Sequence, residues 1–241
     1  MDFLENSKIS QKYRRIIIKL KKDLFCKCFL FRYPMKLISS LLEFVSLTCR
    51  KHAIDESHGL GHSMNVLIHA NHIYNHEVMN HPILRNQERI IYTSAIIHDM
   101  CDKKYMNQND GILEIESFLK CRIPLTEIDI IKQIIATMSY STVKKQGFPD
   151  LKEYQLAYHI VREADLLTAY DIDRCIMYNM NHLNGDFMNA YKDAKYLFEN
   201  RIFKHFEDGL FITDYSKIKG KEYELEANKR LQSWEKIINC L

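Results

Sequence analysis

Four residues of this chain have side chains suited to holding a divalent metal ion: His62, His98, Asp99 and Asp165. Two imidazoles and two carboxylates make a mixed nitrogen and oxygen donor set. It suits manganese, magnesium, iron, cobalt, nickel or zinc, and does not choose among them. His62 follows "SHGLG", His98 and Asp99 follow the apolar "SAII", and Asp165 lies among Ile160, Val161, Ala164, Leu166 and Leu167. An ionised carboxylate in such company is costly unless it is paired or bound to a cation. A His-Asp dipeptide alone occurs by chance, and a single interior Asp is ordinarily a cap or an ion-pair partner. Only the combination argues for a metal.

The elements that must bring these residues together read as helices. From His62 to about Asn75, Val66, Ala70, Ile73 and Tyr74 recur at helical spacing. "QERIIYTSAIIHDM" reads as a second helix, with a centre apolar on nearly every face. Further helices are predicted over 35–52, 111–119, 124–138 and 151–180, with Pro124 in the first turn of its own. Residues 1–23 read as a basic amphipathic helix, and helical patterns alternate with one turn from Phe187 onward. "AIDESHGLG" reads as a loop, and "SYSTVKKQGFPD" is the longest interior stretch without a helical pattern. The expectation is an all-α fold built as a single irregular helical domain. It has an N-terminal helical extension (1–52), a metal-binding core (53–180) and a C-terminal helical extension (181–241) packed on that core.

Composition narrows the class. At 241 residues, with 46% hydrophobic and 27% charged positions, the chain is ordinary for a globular protein with one core. Only 7 Gly and 4 Pro disfavour a many-turned β-sandwich or barrel. A net charge of +3, from 34 basic and 31 acidic residues, is too balanced to require nucleic acid as a partner. The seven cysteines are odd in number and scattered, with Cys26 and Cys28 the only close pair and no CxxC. That excludes a disulfide framework and points to reduced thiols in a cytoplasmic protein. The N-terminus is charged throughout, unlike a signal peptide. The apolar run 37–47 contains Glu43 and is shorter than the roughly 20 residues a membrane span needs, so it reads as a buried helix.

Three segments in order resemble the HD-domain superfamily of metal-dependent phosphohydrolases: "SHGLGHSMNV", "TSAIIHDM" and "READLLTAYD", spanning about His58 to Asp173. The resemblance implies an HD-type helical fold and one divalent ion held by His62, His98, Asp99 and Asp165. His62, the second histidine of its segment, takes the ligand position. It further implies cleavage of a phosphoester in a small molecule or nucleotide, with the ion polarising a phosphoryl oxygen and activating water. Asp99 also helps to orient that water, and His58 is placed as a phosphate contact or acid. "HDMCDKKYM" lacks the Gly and His that bring a second metal in some members, and the chain has no GYP signature. A di-iron oxygenase on this scaffold would need more ligands before Asp165, and there is no His between His98 and His159.

Phosphate recognition calls for cations and hydroxyls near the metal. Lys103 and Lys104, just beyond Asp99, and Lys144 with Ser139 in the irregular stretch are the substrate-binding candidates, with Lys145 and Ser141 beside them. Arg162 and Glu163 are expected to steady Asp165. The alternative function is a metal- or nucleotide-binding sensor module with little catalysis. The sequence leaves the oligomeric state open.

Overall fold

The structure, a computed structural model, describes residues 33–240. The expected amphipathic helix 1–23 and the Cys26/Cys28 pair lie outside the described residues. Among the described residues there are ten α-helices, three short 3-10 turns and no strand, so the fold is all-α. In chain order the helices are α1 (Tyr33–His52), α2 (Leu60–Glu77), α3 (Glu88–Ile97), α4 (Gln108–Leu119) and α5 (Leu125–Thr137). They continue as α6 (Tyr140–Gln146), α7 (Gln155–Thr168), α8 (Ile172–His182), α9 (Phe187–Asn200) and α10 (Asp214–Asn239). Contacts divide the chain into two units, Met1–Ser40 and Leu41–Leu241. Residues 53–180 and 181–241 both fall in the second unit. All the candidate site residues belong to that second unit.

Three helices pack on one another at its centre: α2 on α7, α2 on α3, and α3 on α7. The apolar stripe of α2 (Val66, Ala70, Ile73, Tyr74) is buried as its spacing requires. Seven of the ten α3 residues are buried, Ile90, Ile91, Ala95, Ile96 and Ile97 among them. Each such aliphatic side chain contributes about 1.5–3 kcal/mol when taken fully from water. The central contacts are what hold the histidines and carboxylates of α2, of α7 and of the turn that follows α3 at one place.

Two elements differ from their sequence reading. The predicted single helix 151–180 is a 3-10 turn (Lys152–Tyr154), then α7, then α8. The break comes at Asp171, whose backbone is extended and whose side chain accepts from Arg174 N as an N-cap. Within "SYSTVKKQGFPD", residues Tyr140–Gln146 form a helix, capped by Ser139 and stopped by Gly147 at φ +75°. Its two turns are too short for apolar periodicity to register. One close approach shapes the neighbourhood of Asp99: a Cβ at Gly111 would lie 2.8 Å from Cys101 Cα, so only glycine lets α4 meet that turn. The five described cysteines are free thiols. Among the described residues, no helix is long and apolar enough to cross a membrane.

Candidate metal centre

Adjacent residues on a helix point about 100° apart and do not meet on one face. His98 and Asp99 meet because α3 ends at Ile97 and the chain enters a turn. His62 joins them from the first turn of α2, and Asp165 from α7.

The His62 and His98 Nε2 atoms are 3.2 Å apart. Asp99 Oδ2 is 3.2 Å from each of them, closing an equilateral triangle. An ion bound at roughly 2.1 Å spans neighbouring ligands at roughly 3.0–3.4 Å. His62, His98 and Asp99 thus form a group that could hold a metal ion. Asp165 Oδ1 lies 3.3 Å from the His62 nitrogen and 3.6 Å from that of His98, against the same pair of imidazoles.

His98 Nδ1 faces the Ala95 carbonyl at 3.0 Å and carries its hydrogen there, which turns Nε2 toward Asp99. Asp99 Oδ2 is buried and has no well-directed hydrogen-bond donor, although two ring nitrogens stand close. Burial opposes charge on His98, but Asp99 and Asp165 hold its pKa well above the ordinary value. Burial likewise disfavours charge on the two carboxylates, yet the imidazoles hold both well below the ordinary carboxylate range. His62, His98 and Asp99 turn their donor atoms toward one point, where a cation could take the place of the imidazole protons.

The surrounding contacts orient the ligating atoms. Thr168 Oγ donates to Asp165 O at 2.7 Å and sits 3.5 Å from His62 Nδ1. Arg174, at the start of α8, donates to the carbonyls of Ser57 and Thr168 and places Nη1 3.0 Å from His62 Nδ1. Arg162 and Glu163 do not steady Asp165 as expected. Their hydrogen bonds go to the 210–213 segment: Arg162 donates to Leu210 O, and Glu163 accepts from Ile212 N, Thr213 N and Thr213 Oγ.

A cavity of about 350 Å³ opens over His62, His98, Asp99 and Asp165. His58, Lys103, Lys104 and Ser139 line it, as does Ser141. Lys144 does not. Its ammonium pairs with Asp208 at 2.6 Å, so the expected substrate cation of this stretch is already engaged. Ser139 doubles as the cap of α6, accepting from Thr142 N at 3.3 Å. His58 is neutral: burial first, then Lys104 and other cations, push it down to about 4. Asp55 accepts from Ser57 Oγ and Tyr105 Oη, whose lone pairs face His58 Nδ1 at 2.7 and 3.1 Å. Its Nε2 is left to accept from Lys104 Nζ, 3.3 Å away. The ring thus lines the cavity with Nε2 engaged by Lys104, a position that suits a contact to substrate.

Sequence reasoning missed Arg174, Arg201 and His205, which also line the cavity. Nothing local marks them. Arg174 lies beyond the α7–α8 break, and the other two lie in the stretch the resemblance leaves uncovered. The clustered His69, His72 and His76 of α2 pack on the rings of Tyr223 and Tyr215 instead of forming a second metal group.

Compared by sequence, the chain matches no family model and no curated protein. Among solved structures it is similar to a Lactobacillus plantarum protein determined as a structural-genomics target. The TM-score is 0.59 at 16% identity, covering 85% of this chain and 97% of that one. At that identity the likeness concerns the fold alone.

Proposed function

We propose that the protein is a metal-dependent phosphohydrolase, acting on the phosphoester of a small molecule or nucleotide through one divalent ion at His62, His98, Asp99 and Asp165. The observation that carries this reading is the triangle of donor atoms with 3.2 Å edges at the floor of a cationic cavity. Lys103, Lys104, Arg174 and Arg201 face that cavity along with Asp99, Asp102 and Asp165. With two of these carboxylates committed to a divalent ion, four cations face the single carboxylate of Asp102. Such a surplus recruits an anion. The resemblance to HD-domain phosphohydrolases points the same way.

When bound, the ion supplies Lewis acidity, polarising a phosphoryl oxygen and acidifying water. The chain's own residues do the rest. His98 is oriented with Nε2 toward the site by Ala95 O, and the Thr168 hydroxyl, fixed on the Asp165 backbone carbonyl, stands beside His62 Nδ1. His58 Nε2 accepts a hydrogen bond from Lys104 and so holds that cation at the cavity, with Asp55, Ser57 and Tyr105 fixing the ring. Lys104 and Lys103 neutralise substrate charge.

The test is metal analysis of the purified protein, followed by a phosphomonoester and nucleotide panel with and without manganese, run beside Asp99→Ala. Metal-dependent turnover that disappears in the variant supports the hydrolase. A wild type that binds metal and turns over nothing across the panel favours a sensor module. Absence of bound metal overturns the site assignment itself.

A further inference from the structure

We propose that Arg201 is the anion anchor of the metal-facing cavity, the side chain that takes hold of the phosphoryl group. The proposal deepens the phosphohydrolase reading and rests on it for the identity of the anion. Arginines near the site are otherwise engaged. Arg162 is tied to Glu163 and Leu210 O, and Arg174 to Ser57 O and Thr168 O. Arg201 lines the cavity half-buried, and among the described residues its guanidinium has no carboxylate within ion-pair distance and no hydrogen-bond acceptor. Its Nε is buried and unpartnered. A desolvated guanidinium with its donors unused carries a cost that a bound oxyanion would relieve.

The group is also held in place. The Arg201 guanidinium stacks over the Tyr140 ring at 4.1 Å. Tyr140 Oη donates to Asp208 at 3.2 Å, and Asp208 in turn pairs with Lys144. Lys144 thus acts two steps from the cavity, by fixing the carboxylate that fixes the ring that carries Arg201. Behind this perch His205, 0% exposed, leaves both ring nitrogens unpartnered, a second polar group on the same wall without an internal partner. The planar fork of an arginine suits a tetrahedral oxyanion, which accepts two parallel N–H bonds. The four cations against Asp102 favour a dianion over a monoanion.

The experiment is calorimetric titration of the full chain, first with manganese and then with inorganic phosphate, and separately with acetate. Arg201→Gln is expected to weaken phosphate binding at least about 10-fold, the scale of a lost charged hydrogen bond, while manganese affinity changes less than about 2-fold. Arg201→Lys should recover part of the loss, and Tyr140→Leu should give a smaller loss than Arg201→Gln. Phosphate binding unchanged in a folded Arg201→Gln overturns the proposal. So does acetate binding as tightly as phosphate, or a metal-loaded wild type that ignores phosphate. If Arg201→Gln does not fold, Arg201→Lys, which keeps the charge and loses the fork, decides by the same comparison. If the wild type takes up no manganese, the metal reading fails on its own. Phosphate titrated into the metal-free protein and its Arg201 variants then decides the anchor.

Discussion

Glu163 and Asp165 lie two residues apart on the same helix and have opposite fates. Glu163 is 0% exposed and both its oxygens are met by donors: Arg162 Nη2 at 3.1 Å, Ile212 N at 2.8 Å, and Thr213 through its N–H at 3.1 Å and its hydroxyl at 2.6 Å. Asp165, with Asp99, has no such set of backbone and hydroxyl donors and faces the ring nitrogens of His62 and His98. The first carboxylate is a completed structural joint, fastening α7 to the segment that leads into α10. The second lies against His62 and His98, which with Asp99 form a group that could hold a cation. Burial of a charge therefore does not identify a functional site. What distinguishes one is whether the protein itself supplies the partners.

The comparison can be broken most forcefully at the joint. Glu163→Ala leaves Arg162 and the Thr213 turn without their acceptor, and should cost about 3–5 kcal/mol in denaturant unfolding. Metal affinity per folded molecule should stay near wild type. A variant that unfolds normally but loses metal would erase the distinction.

Asp99→Ala makes the reverse case. Removing a direct ligand should lower metal affinity by more than the roughly 10–100-fold typical of losing an outer partner, as read by competition with a chelating dye.

Adding metal sharpens the contrast from outside. At a concentration about 100 times its Kd, an ion bound only by the folded state should stabilise the protein by about 2.7 kcal/mol, visible as a higher Tm. The same shift should survive in a Glu163 variant and vanish in Asp99→Ala.

The smallest effect concerns the buried histidines outside the ligand set. Burial pushes His205 down to about 3, and His159 and His69 down to about 4. Because the folded state binds these protons more weakly than the unfolded chain, their contribution to stability is full above the ordinary histidine value near 6.5. It is lost as pH falls toward the folded pKa. Each such ring contributes a slope of up to about 1.4 kcal/mol per pH unit in that window. His205→Leu should flatten the Tm profile between about pH 6 and 4 by one proton's worth, and an unchanged slope would contradict the assignment.

How much of this was legible in the sequence varies by element. The apolar spacing of α2 and the all-apolar centre of α3 were readable, because burial of one face over several turns leaves a periodic trace. The split of 151–180 was not, since Asp171 as an N-cap looks in sequence like any helix-surface Asp. Nor was α6, whose seven residues are too few for a period to show.

The residue types themselves pointed to a helical chain and to His62, His98, Asp99 and Asp165 as expected metal donors, of which the first three form a group that could hold an ion. Ligand chemistry resides in the side chain, and that much needs no coordinates. Tertiary structure alone decided which charges are spent and which are spare. Lys144 is spent on Asp208, Arg162 on Glu163 and Leu210, and Arg174 on backbone carbonyls, while Arg201 is left facing the cavity. A charge acquires its role from its partners, and partners separated by 48 or 64 residues, as Arg162 and Leu210 or Lys144 and Asp208 are, meet only when the chain has folded.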